Sequence, residues 1–159
     1  MKLKLLFLKI ASRVSDLYQP GVFRQKLDRA LALHLRGEVR RDGLRAASVR
    51  TTLHIEWLAR EVHPWNRHLP DDEVERLFTQ QCLDDTDAAI ARIFQEIPVL
   101  DTIEVCVRRR TSGPPLLAGT VHRSSLEMND DASVGMRLRG LGVRFRMNNL
   151  LLEEFSGSL

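Results

Sequence analysis

Leu53-His54-Ile55-Glu56-Trp57-Leu58-Ala59-Arg60 is where the chain changes its period. Leu53, Ile55, Trp57 and Ala59 fall on one side and His54, Glu56 and Arg60 on the other, the alternation of a half-buried strand. Two prolines bracket the next stretch, His63-Pro64-Trp65-Asn66-Arg67-His68-Leu69-Pro70, and make it a loop. Asp71-Asp72-Glu73 then sets three carboxylates on the positive end of a helix dipole. Val74, Leu77, Phe78, Cys82, Ala89, Ile90, Ile93, Phe94 and Ile97 form that helix's apolar stripe, and Pro98 stops it.

The alternation returns over Thr102 to Arg108, with Ile103, Val105 and Val107 inward and Glu104, Cys106 and Arg108 outward. Thr111-Ser112-Gly113-Pro114 reads as a hairpin loop and Leu116 to Arg123 as the return strand, which Gly119 weakens or bulges. Met128 to Ala132 is loop. Ser133 to Arg139 is a short helix ending at Gly140 or Gly142. Val143, Phe145 and Met147 alternate with Arg144 and Arg146 in a further strand, and Asn148-Asn149 turns the chain into a short partner, Leu150 to Phe155.

The order is therefore strand, long helix, strand, strand, short helix, strand. It predicts an α+β fold of the ferredoxin-like, split βαβ type: an antiparallel sheet with both helices on one face. The other face is expected to carry His54, Glu56, Arg60, Glu104, Cys106, Arg108, Arg144 and Arg146.

Ahead of this unit, Leu3, Leu6, Phe7, Ile10, Val14 and Leu17 recur at three- and four-residue intervals, with Lys2, Lys9, Arg13 and Asp16 elsewhere on the wheel. Gln19-Pro20-Gly21 ends that helix. A second runs from about Val22 to Arg36 with Phe23, Leu27, Ala30, Leu31 and Leu35 inward and Gly37 as its cap. Arg41-Asp42-Gly43 is a turn, and residues 44–51 are irregular or weakly extended. Three regions follow: an amphipathic helical arm and linker over 1–50, the α+β domain over 51–155, and a flexible tail over 156–159.

The chain has 159 residues, 43% hydrophobic and 28% charged, ordinary for a soluble globular protein. Its net charge of +3 hides a blocky distribution. Residues 1–60 hold 13 basic and 5 acidic side chains, residues 61–106 hold 3 and 11, and residues 107–159 hold 8 and 5. The basic first block is expected either to lie against the acidic middle or to meet an acidic partner. Cys82 and Cys106 are expected as two buried thiols in a reducing compartment. The apolar run Leu5-Leu6-Phe7-Leu8 is broken by Lys9, short of the about 7–15 residues of a secretory signal, so the cytoplasm is the expected location.

Catalytic constellations are sparse. His63 and His68, with His54 nearby, are the nearest approach to a metal set, but no carboxylate or Cys pair accompanies them locally, so no metal or other cofactor is expected. Trp65 is expected to plug the space beside the first strand. Cys106 could meet His122 across the hairpin, an arrangement a small enzyme would need. The chain has no nucleophile elbow, phosphate loop or zincin helix. Arg108, Arg144 and Arg146 on the outward face could contact phosphates, but that face lacks the stacking aromatics of RNA-binding sheets.

These patterns favour a non-catalytic protein-binding or assembly module, self-associating or a small subunit of a larger complex, with Leu3, Leu6, Phe7, Ile10 and Val14 making the contact. A nucleic-acid-binding accessory protein using Arg108, Arg144 and Arg146 is the alternative, and a small His/Cys enzyme the second. Protein docking ranks above membrane contact for the arm, and no small-molecule ligand is indicated.

Overall fold

Alternating strands and one long apolar stripe meet in a single core. The computed structural model describes residues 20–31, 44–126 and 132–156. Within them α1 (Pro20–Leu31) precedes β1 (Arg45–Val49) and β2 (Thr52–Leu58), and a 3-10 turn at Pro64–Asn66 leads into α2 (Asp71–Glu96). β3 (Thr102–Arg108), β4 (Pro115–His122), a 3-10 turn at Arg123–Ser125, α3 (Val134–Gly140), β5 (Val143–Asn148) and β6 (Leu151–Glu153) follow. The helical arm over residues 1–17, the Leu35 and Gly37 end of the second helix, the turn at 41–43 and most of the loop at 128–132 lie outside the described residues, as does the tail beyond Ser156.

The fold is α+β, with a six-stranded mixed sheet in the order β1-β2-β3-β4-β5-β6. That order is not the split βαβ one expected. A ferredoxin-like sheet leaves a gap between its first two strands for a third to fill, whereas here β2 pairs directly and in parallel with β3, Ile55 opposite Val105. All other neighbours are antiparallel. α2 thus makes a crossover between adjacent strands, and the rest of the sheet grows outward by hairpins and the short α3 connection.

Leu53, Ile55 and Trp57 of β2, Ile103, Val105 and Val107 of β3, and Val143 and Phe145 of β5 share a core with Phe78, Ile90, Ile93 and Phe94 of α2. Leu27, Ala30 and Leu31 of α1 belong to the same core. Gly119 marks no bulge: the register shift falls between Val107 and Arg108. Its role is close approach, since a Cβ there would stand 2.2 Å from the carbonyl oxygen of Gly142, itself at φ +99°.

β1 decides between the irregular and weakly extended alternatives for residues 44–51 in favour of the second. Arg45 to Val49 form a strand whose side chains are exposed on both faces. No apolar alternation could betray it, because neither face is covered.

Candidate functional site

The face of the sheet turned from α2 carries the polar set that alternation predicts, except Arg60, which lies beyond the end of β2 and pairs instead with Asp85 of α2. Across it run Arg45, Glu56, Cys106, Ala118 and Arg144 in register, with Ala47, His54, Glu104 and Thr120 in the next row. Acids alternate with bases and pair with them. His54 Nδ1 lies 2.7 Å from the Glu104 carboxylate, and Arg108 Nε lies 3.1 Å from that of Glu56. Arg108 also donates to the Gly113 carbonyl. Arg144 is engaged too, and Arg146 stands opposite Glu153 in the β5–β6 register. Arg108, Arg144 and Arg146 share one face, with β4 between the first and the other two.

Cys106 sits in this face but is only 6% exposed, not outward-facing in any useful sense. Its neighbours cover it. Burial is the largest influence on its thiol and pushes the pKa up; Arg108 pulls it down and Glu56 pushes it further up. A thiol so held is protonated and a poor nucleophile. His122 does not meet it: Cys106 faces Ala118, while His122 faces Thr102 and lies 3.2 Å from its hydroxyl. Four residues of strand, roughly 13 Å, separate the two positions. Burial likewise pushes the Cys82 thiol up to about 12.

The three histidines weighed as ligands are occupied separately. His54 is held by Glu104, His63 accepts from the Trp65 N–H at 3.3 Å, and His68 Nδ1 lies 2.5 Å from the Trp65 carbonyl. Among the described residues no group of three or more His, Cys, Asp or Glu side chains is placed to share a metal. None of the described helices is long and apolar enough to cross a membrane.

Among the described residues, three arginines answer the acidic block with paired bonds. Arg60 grips Asp85, Arg109 grips Glu75 and Arg137 grips Asp87, each through two nitrogens. Arg109 also stacks 4.3 Å over the Phe78 ring, and its bond to Glu75 raises its own pKa. Arg123 donates to the carbonyls of Phe94, Ile97 and Leu100 and so caps the C-terminal end of α2. These residues are structural.

Sequence reasoning missed a groove at the other end of the sheet. About 610 Å³ in volume, it is lined by Leu69, Leu77, Leu83, Met147 and Leu150, with Glu73 and Arg76 at its rim. Comparison with protein-family models, curated proteins and solved structures finds no match. The groove must therefore be read from its own chemistry.

Two features of its wall are unusual. Leu150 is 72% exposed, and its backbone sits at φ +68° beside Asn149 at +49°. Both central residues of this two-residue hairpin loop are left-handed, where Asn followed by Gly is the favoured pair. A leucine there costs about 1 kcal/mol or more over glycine. Leu77 is 41% exposed, and Trp65, in the loop that delivers Leu69, is 80% exposed rather than the plug expected. The signal in the sequence was Asn148-Asn149-Leu150 itself, a turn lacking the glycine that its geometry prefers.

Proposed function

We propose that this protein is a non-catalytic protein-binding or assembly module whose groove between α2 and the β5–β6 hairpin takes an amphipathic helix with basic flanks. The observation that carries the reading is Leu150: a large apolar side chain held in water on a strained turn, facing Leu77 and Met147 across an apolar groove. Strain at an exposed apolar residue is uneconomical for folding alone and makes sense where a partner covers it. Glu73 at the rim, with Asp71 and Asp72 in the same first turn of α2, favours a cationic occupant. Arg76, 3.8 Å from Asp72, offsets one of these three charges and leaves the turn net negative. The segment carrying Leu3, Leu6, Phe7, Ile10 and Val14 between Lys2, Lys9 and Arg13 has this chemistry, so self-association through it is the first form of the module.

A fluorescent peptide of residues 1–18 tests this by anisotropy, titrated with the full chain and with a Leu6→Glu/Phe7→Glu chain whose own segment cannot compete. Binding to the second chain is expected, and to be lost on adding Leu77→Glu or Leu150→Gly. Leu150→Gly should at the same time raise the urea midpoint, because it relieves the strained turn. No binding to either chain, or binding indifferent to both groove variants, overturns the proposal.

A further inference from the structure

The two edges of the sheet are finished differently. At one, β6 is only three residues long; its Leu152 N–H donates to Thr79 Oγ1 at 3.0 Å, and the Phe155 N–H just beyond it donates to the Pro115 carbonyl at 3.1 Å. Glu153 and Glu154 flank that end and are held by Asn148 and Arg110. Short length, charge and capped donors are the usual ways of closing an edge to further strands. At the other edge, β1 is longer, carries its single charge, Arg45, at one end, and has no outward donor capped by a described residue. It contains no proline or lysine, carries no bulge in its pairing with β2, and its outer side receives no hydrogen bond from any described residue.

The phase of its backbone follows from the hairpin. Val49 and Thr52 close a two-residue loop and form a hydrogen-bonded pair; Ala47–His54 and Arg45–Glu56 repeat it. Ser48 and Ala46 alternate with them, so their N–H and C=O groups point out of the sheet. These two residues stand symmetrically about Ala47.

We infer that β1 pairs antiparallel with β1 of a second copy, about a two-fold axis through Ala47, to continue the sheet across a homodimer. In that register Ala46 of each copy faces Ser48 of the other, and the four outward groups on each strand are satisfied in two reciprocal pairs. Ala47 faces its own counterpart in a non-hydrogen-bonded pair, where Cα atoms approach to about 4.5 Å and small side chains fit best. Arg45 of each copy lies beside Val49 of the other, so its aliphatic stem covers a valine that is 59% exposed in the single chain. No shift of register keeps all of these matches, and the surface is self-complementary as a two-fold contact requires. Five residues of strand bury less than the roughly 1,200 Å² of a stable complex, so the dimer is weak and dissociates on dilution. The surface is separate from the groove, which lies at the β5–β6 end of the sheet.

Sedimentation velocity of the full chain from roughly 10 µM to 1 mM, a range matched to weak association, tests the assignment on a Leu6→Glu/Phe7→Glu background that silences the groove contact. The sedimentation coefficient should rise with concentration and stay monomeric in Ser48→Pro, which removes an outward N–H and leaves the β2 ladder intact. Ala47→Cys gives a second readout that needs no loss of function. Mild oxidation should cross-link it into a covalent dimer at least about tenfold faster than Ser48→Cys, because only residue 47 meets itself at non-hydrogen-bonded spacing. A chain monomeric throughout, a dimer that survives Ser48→Pro, or equal cross-linking at residues 47 and 48 overturns the inference. So does a monomer that instead binds an extended peptide along β1. A dimer lost only on Leu150→Gly belongs to the groove.

Discussion

Replacing Arg123 by methionine should cost about 3–4 kcal/mol, although the residue lies at the end of a strand and touches no candidate site. α2 ends with no basic residue in its last turn, so the negative end of a 26-residue helix has no charge of its own to meet. Arg123 supplies it from β4's end: Nε donates to the Leu100 carbonyl at 2.7 Å, and the two terminal nitrogens donate to Ile97 and Phe94 at 3.0 Å each. The guanidinium also lies 4.7 Å from the centroid of the Phe94 ring. Methionine keeps the stem's packing and removes the charge and all three donors. At about 1–1.5 kcal/mol per net bond from a charged donor, reduced by water reaching the freed carbonyls, the sum is about 3–4 kcal/mol. Urea unfolding followed by far-UV circular dichroism should show a lower midpoint with an unchanged slope. Arg123→Lys, which keeps the charge but cannot span three carbonyls, should recover less than half of the loss. A loss below about 1 kcal/mol for methionine, or full recovery by lysine, would refute the capping role.

Replacing Arg108, Arg144 and Arg146 together by glutamine should lower stability, since Arg108 is paired with Glu56, and should leave oligonucleotide retention unchanged; a salt slope flattened by roughly two to three units would move the function to nucleic acid. The buried thiols make the chain sensitive to alkali. Because the folded-state pKa of Cys82 is raised to about 12 from an ordinary 9.0, the folded chain holds a proton that the unfolded chain releases. The associated stability is whole below pH 9 and is lost as pH rises toward 12, with a slope of about 1.4 kcal/mol per pH unit. Cys82→Ala should make the alkaline fall of the unfolding free energy, measured by urea titration, shallower by that amount.

The elements were legible because each has a local cause. Prolines 70 and 98 bound α2, and its stripe and three leading carboxylates name it a helix. Alternation names β2, β3 and β5, and Ser133, expected as the first residue of α3, is its cap, accepting from the Met136 N–H. The strand order was not legible, because periodicity says which face a residue takes and nothing about which strand lies beside it. A crossover as long as α2 can return to the adjacent strand or skip one, and only the pairing of Ile55 with Val105 decides it. β1 was legible only as a weakly extended stretch, because a strand exposed on both faces is made by backbone bonds alone. Cys106 was legible as a buried thiol and as a residue of the polar face; what reconciles the two is cover from Glu56 and Arg108, one of them 50 residues away, which alternation cannot show. At the β5–β6 hairpin the turn signal was read one residue early, which placed Leu150 in a strand and hid its left-handed backbone.

Charge and shape divide the surface in a way that composition alone could not suggest. Six of the arginines that invite a phosphate reading are held within the molecule, on Glu56, Glu75, Asp85, Asp87, Glu154 and the carbonyls closing α2. Two surfaces that no described residue covers are apolar or purely backbone: the Leu150 turn over its groove, and the outer side of β1. The sheet order puts these at opposite ends. Contacts so far apart share no partner residues, so their free energies should add to within about 0.5 kcal/mol. An isologous contact at β1 closes at two copies, whereas a groove that takes another copy's helix is heterologous and propagates unless rotation closes it. The two surfaces therefore differ in what they can build, and the reach of the assembly depends on which of them is occupied.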